Sequence, residues 1–161
     1  VLIAIDPGRN AGWAAIDGNT LHLVGCGLVR DDGRSDTDRG LALARGIREA
    51  LVARSLPVDG LAIVVERMAA YGASDPNDLI GVTLSSGIAA GNLATDRVEA
   101  VPARAWKGNV PKGITQRRTA ALLTDAERDL VGHELAGEPK GLHHNVWDAI
   151  GIALYAIRRG R

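Results

Sequence analysis

The sequence predicts an α/β fold in which an antiparallel meander of three strands is followed by strands that alternate with helices. Two observations carry this. Val1 to Ile5 and Leu61 to Val65 are each five apolar residues followed by an acid, Asp6 and Glu66, as buried strands tipped by a carboxylate would be. A helical stretch lies between them, so they run parallel through a right-handed crossover. The second observation is turn chemistry: Pro7 to Gly12 and Asp17-Gly18 divide the first thirty residues into three strand-length segments. If the acid-tipped strands are neighbours in register, their acids emerge at one sheet edge, roughly 5 Å apart. Carboxylates that close repel unless a cation sits between them. The arrangement therefore argues for a metal site and asks for a third ligand.

Each element follows from its residues. Pro7 to Gly12 forms a loop whose glycines permit a tight return; no Lys-Ser/Thr follows Gly12, so it is not a Walker-type phosphate loop. Gly12 to Ile16 is the second strand, Asp17-Gly18 a hairpin turn, and Thr20 to Val29 the third strand. Arg30 to Asp36 is a charged loop. Ser35 or Thr37 caps a helix running to about Arg54, with Leu41, Ala44, Ile47 and Leu51 at helical spacing. Leu56 to Gly60 ends it and leads into the strand at 61–66. Ser74 or Asp75 before Pro76 starts a helix that continues to about Leu93. Its second half, Ser85 to Gly91, is small enough for another backbone to approach closely, within the chain or, as a hypothesis, in a dimer. Arg97 to Val101 is a fifth strand, and Pro102 to Gly113 carries Arg104, Trp106, Lys107 and Lys112. Thr115 to Leu123 and Asp125 to Leu135 read as short helices, Gly137 to Leu142 as a loop, and Asn145 to Arg159 as an apolar final helix.

At 161 residues the chain is expected to be one domain, 1–161, large enough for a core without staples. Its single cysteine, Cys26, excludes an internal disulfide and fits a reducing compartment. No apolar run approaches the roughly 18 residues of a membrane span, and a soluble, cytoplasmic protein is expected, nucleoid-associated or in host cytoplasm if viral. Net charge is zero, but it is unevenly spread. Residues 1–100 hold nine basic and thirteen acidic residues, and residues 101–161 hold ten and six. An acidic site with a basic flank suits a phosphodiester substrate.

The final helix opens Gly141-Leu142-His143-His144-Asn145-Val146-Trp147-Asp148. One reading makes Asn145 its N-cap and Asp148 the partner in a capping arrangement. The other uses the apolar remainder, Ala149 to Tyr155, which buries the helix and brings its first turn to the sheet. Asp148 then meets Asp6 and Glu66. In that order, Ile3-Ala4-Ile5-Asp6-Pro7-Gly8 with Gly12, Ile63-Val64-Val65-Glu66 and Asp148-Ala149-Ile150-Gly151-Ile152-Ala153-Leu154 resemble the motifs of RuvC-type Holliday-junction resolvases of the RNase H-like (retroviral-integrase-like) superfamily. The resemblance spans the whole chain.

The resemblance implies an RNase H-like fold, with a five-stranded mixed β-sheet flanked by α-helices. It also implies a homodimer, and two Mg²⁺ ions, with Mn²⁺ as a substitute, held by Asp6, Glu66 and Asp148. Where the family often has a further acid, three residues before the last, this chain has Asn145, which still offers a neutral oxygen; His144 is a candidate for proton transfer. The implied reaction is a two-metal, in-line hydrolysis of the P–O3′ bond, with cations about 4 Å apart. Paired symmetrical nicks on a four-way DNA junction follow, each leaving a 5′-phosphate. Lys107 and Lys112 resemble the family's basic segment, Arg117 and Arg118 add to it, and Arg67 and Tyr71 fall where the family has a mobile loop with a base-stacking aromatic. Trp13, Trp106 and Trp147 are expected to pack. Two alternatives stay open: a nuclease of the same superfamily for flaps or branched DNA in general, and a junction-binding protein without catalysis, which Asn145 keeps in view.

Overall fold

The computed structural model describes residues 1–30, 35–67, 76–93 and 97–159. Among them, β1 (Leu2–Asp6), β2 (Ala11–Ile16) and β3 (Leu23–Val29) form the antiparallel meander, and β4 (Ala62–Arg67) and β5 (Arg97–Pro102) add to it in parallel. The sheet order is β3-β2-β1-β4-β5. Around it lie α1 (Asp36–Ala53), α2 (Pro76–Asn92), α3 (Ala103–Lys107), α4 (Lys112–Ala121), α5 (Asp125–Leu135) and α6 (His143–Ala156). This is the RNase H-like arrangement expected from the sequence.

Alternation along the strands sorts side chains into two cores. Ile3, Ile5, Trp13, Ile63 and Val65 face one side, where Leu43, Ile47 and Leu51 of α1 and Ala89 and Ala90 of α2 cover them. Ala4, Ala14, Cys26 and Val64 face the other, against Val146, Ile150, Ala153 and Leu154 of α6 and Val131 and Leu135 of α5. Each fully buried Ile or Leu contributes about 1.5–3 kcal/mol. Along β1 and the start of β2 the faces are unequal: Ile3, Ile5 and Trp13 sit under α1 and α2, and Ala4 and Ala14 under α6. Gly12 is the limiting case, because a Cβ there would lie 2.0 Å from the carbonyl oxygen of Asn145. The first turn of α6 therefore rests on the sheet beside Asp6, the register partner of Gly12. Burial, and secondarily Glu134, push the Cys26 thiol up to about 12, so this cysteine is packing and not a nucleophile.

Four local expectations are corrected. The β2–β3 hairpin does not close through a two-residue Asp17-Gly18 turn; it closes through a longer loop, Asp17 N–H donating to His22 O at 3.0 Å, with the left-handed residue at Leu21 (φ 58). Asp17 drives this: its carboxylate accepts from Asn19 N–H at 2.7 Å, an Asx turn. Pro102 to Gly113 contains an unexpected short helix, α3. The last helix starts at His143 after a 3₁₀ turn, Lys140–Leu142, with no side-chain cap, so Asn145 lies inside its first turn and is not an N-cap. It also ends earlier, at Ala156. Of the two caps proposed for α1, Ser35 serves, accepting from Asp38 N–H at 3.2 Å. One face of the small half of α2, with Ser85, Ala89 and Ala90, packs within the chain: a Cβ on Gly40 of α1 would lie 2.6 Å from Ser85 O. The helix starts offered at Ser74 and Asp75 lie outside the described residues.

Candidate metal and nucleic-acid site

β1 and β4 are adjacent and parallel, with Ile5 opposite Val65 as their last paired residues. One step further stand Asp6 and Glu66, side by side at the same sheet edge. Alternation aims both toward the α6 face, since Ala4 and Val64, two residues earlier, pack there. Sheet register alone thus delivers two carboxylates to one end of one face. Asp148, on the second turn of α6, is the third acid. Glu66 is 9% exposed and Asp148 7%.

Each acid is held by a different device. Glu66 Oε2 accepts from the indole Nε1–H of Trp106 at 2.9 Å. Trp106 is positioned by Gly151, one turn beyond Asp148 on α6; a Cβ there would lie 2.4 Å from the indole ring. Trp106 packs, as expected, and it also orients an acid, a role that sequence reasoning missed. The available signal was its indole N–H, which needs a partner when buried. Lys107, next in sequence, places its ammonium 3.3 Å from Glu66 Oε2 and 3.7 Å from Asp148 Oδ2. Two of the three acids therefore share one cation, and that cation belongs to the chain.

Asn145 is tied to the β1–β2 loop, its Nδ2 donating to the carbonyl of Asn10 at 2.7 Å. With Gly12 beneath it, this bond locks the start of α6 over the ends of β1 and β2. The amide is better suited to this contact than an aspartate, whose carboxylate would face the carbonyl oxygen. His144 is half-buried and lies one turn before Asp148, on the same helix face. His143 turns away, its Nε2 donating to Glu138 O at 2.8 Å.

The basic residues divide. Lys107 is at the acids, and Arg118 joins it and Trp106 in lining a cleft of about 700 Å³ between α3, α4 and α6. Arg67 is exposed immediately after Glu66, and Arg117 is exposed on α4, which Lys112 begins. Tyr71 lies outside the described residues.

The donor set suits a hard cation: carboxylate oxygens, a neutral amide nearby, and an ammonium already drawn between two acids. Among the described residues, no group of three or more His, Cys, Asp and Glu side chains is drawn close enough to hold a metal ion. Lys107 lies between Glu66 and Asp148, so it is the oxygen chemistry of these acids, and not their present spacing, that suits a divalent ion. No described helix is long and apolar enough to cross a membrane.

No protein-family model matches the sequence, and no curated protein does. Solved structures do. The chain is similar to Thermus thermophilus RuvC in complex with a Holliday junction substrate, at 18% identity over 99% of this chain and 95% of that one, TM-score 0.56. A second structure of T. thermophilus RuvC matches at 18% identity over 98% and 95%, TM-score 0.54. The yeast mitochondrial Holliday junction resolvase Ydc2 matches at 12% identity, over 94% of this chain and 75% of that one, TM-score 0.55. The fold is thus that of the RuvC-type resolvases.

Proposed function

We propose that residues 1–161 form one nuclease domain that resolves four-way DNA junctions by paired symmetrical nicks, with Asp6, Glu66 and Asp148 as the ligands of two Mg²⁺ ions. The observation that carries this reading is the sharing of one cation by Glu66 and Asp148, beside Asp6, on a fold shared with proteins described as Holliday junction resolvases. Bound divalent ions would supply charge stabilisation at the phosphodiester and a more acidic attacking water. The chain's own residues do the rest. Trp106 holds Glu66 in one orientation, and Asn145 holds the start of α6, and with it Asp148, against the strand ends. His144, on the face of Asp148, is assigned the proton exchange with the attacking water or the leaving oxygen. Lys107, Lys112, Arg117, Arg118 and Arg67 are assigned to backbone phosphates, whose contacts set register without reading sequence; Tyr71 is assigned to stacking on a base.

Cutting two opposed strands needs two sites, hence a homodimer. α2 supports this with an exposed stripe of Ile80 (64% exposed), Leu84 (48%), Gly87 and Gly91 at helical spacing. Both glycines have open space above them, so a second backbone could approach closely.

The test uses an end-labelled four-way junction beside a linear duplex and a flap of the same sequences, in Mg²⁺ or EDTA, with the wild type and Asp6→Asn. Symmetrical nicks on the junction alone, lost in EDTA and in the variant, are expected. Equal cutting of the junction and the flap would make the protein a general branch nuclease, and equal cutting of the duplex as well would remove structure selectivity altogether. Tight junction binding without cutting would make it a binding module.

A further inference from the structure

Lys107 has the geometry of an internal counter-ion. Its ammonium lies 3.3 and 3.5 Å from the two oxygens of Glu66, 3.7 Å from Asp148 Oδ2, and 4.8 Å from the centre of the Trp106 ring. We propose that Lys107 is the resident cation of the acid cluster: it holds Glu66 and Asp148 together in the metal-free protein, and a divalent ion entering the site displaces it. The inference rests on the reading of Asp6, Glu66 and Asp148 as metal ligands.

Several features make the ammonium a placeholder and not a permanent partner. Its distances exceed the roughly 2.7–2.9 Å of a charge-assisted hydrogen bond, so charge holds it more than directed bonding. An Mg²⁺ ion binds oxygen at about 2.0–2.1 Å and carries twice the charge. A lysine is also a compact charge on a flexible stem, without the rigid fork by which an arginine locks a carboxylate. Finally, its neighbours need not move with it. Trp106 is wedged on Gly151 of α6, and the chain turns away immediately afterwards at Gly108, whose φ is 65. The exposed share of the Lys107 side chain, 28%, leaves it an exit toward solvent. Metal loading then frees a positive charge beside the reaction centre, where an incoming phosphodiester can take it up.

Mg²⁺, and separately Mn²⁺, is titrated into metal-free wild type, Lys107→Met and Lys107→Arg. Binding is read by calorimetry and melting temperature by circular dichroism. Removing the competing charge should tighten Mg²⁺ binding about tenfold or more in Lys107→Met, lower its melting temperature in EDTA, and make Mg²⁺ restore it. Lys107→Arg retains a cation and should bind Mg²⁺ no more tightly than the wild type. Equal or weaker Mg²⁺ affinity in Lys107→Met would overturn the proposal while leaving the metal site standing, as would an arginine variant that binds as tightly as the methionine one. Failure of wild type and Lys107→Met alike to bind either ion would overturn the metal-ligand reading, and the proposal with it. Should Lys107→Met be unfolded in EDTA, folding on addition of Mg²⁺ supports the proposal, and persistence of the unfolded state overturns it.

Discussion

Glu66 and Glu127 are both buried, at 9% and 3% exposure, yet their surroundings differ in kind. Glu127, on α5, is saturated. Arg159 grips it with two bonds of 2.7 and 2.8 Å, Leu23 N–H and Thr124 N–H donate at 2.8 and 2.7 Å, and the Thr124 hydroxyl adds a fifth contact at 3.0 Å. Glu66 has one well-formed bond, from Trp106, and a loosely held ammonium. A carboxylate whose lone pairs are all engaged by the chain belongs to the scaffold: Glu127 fastens β3, the start of α5 and the segment after α6. One left partly unsatisfied at a sheet edge, next to two other acids, retains capacity for a ligand.

The largest effects should come from exchanging the same atom at the two positions. Glu66→Gln is expected to abolish junction cleavage while keeping the melting temperature at or above that of the wild type, since it relieves charge at the acid cluster. Glu127→Gln is expected to lower unfolding free energy by about 3 kcal/mol, measured by urea denaturation, with cleavage retained where the protein is folded. The reverse pattern would break the comparison.

Gly12→Ala tests whether the scaffold positions the site. Its Cβ would meet the Asn145 carbonyl at 2.0 Å, so α6 must shift; a loss of about 1–3 kcal/mol together with most of the cleavage activity is expected. Trp106→Phe should retain packing on Gly151 but lose the N–H to Glu66. A fall of about 10–100-fold in metal affinity or cleavage, with only about 1 kcal/mol of stability lost, would mark Trp106 as a positioning residue. Equal losses of stability and none of metal affinity would make it packing alone.

The smallest expected effect is on acid stability. Burial works against ionisation of Glu127, but the Arg159 pair and the Leu23 and Thr124 N–H groups outweigh it and hold the carboxyl well below its ordinary value of 4.5. A folded-state value below the unfolded one means that the contribution is complete above pH 4.5 and is lost as pH falls through the acid range. Wild type should therefore lose stability below that pH more steeply than Glu127→Gln, as followed by urea denaturation at successively lower pH.

Much of the fold was legible because burial imposes period and length on the sequence. The acid-tipped runs at 1–6 and 61–66, the amphipathic stretch from Ser35 and the apolar run after Asp148 each declare an element by which side chains must avoid water. The side-by-side placing of Asp6 and Glu66 was legible only on the condition that their strands are neighbours in register, a condition that the sheet order supplies. The β2–β3 hairpin was misjudged because Asp17 satisfies its carboxylate with backbone N–H groups, a local choice that a dipeptide rule does not weigh.

What the sequence by itself determined, then, is the α/β order of elements and the two strand-end acids. Only the tertiary structure decided what surrounds them: that Gly12 admits α6, that Asn145 ties to Asn10 instead of capping, that Trp106 reaches Glu66, and that Lys107 stands between Glu66 and Asp148. Residues 40 to 135 positions apart meet in these contacts. Periodicity records whether a side chain faces the core; which distant partner it finds there is set by how closely the layers pack.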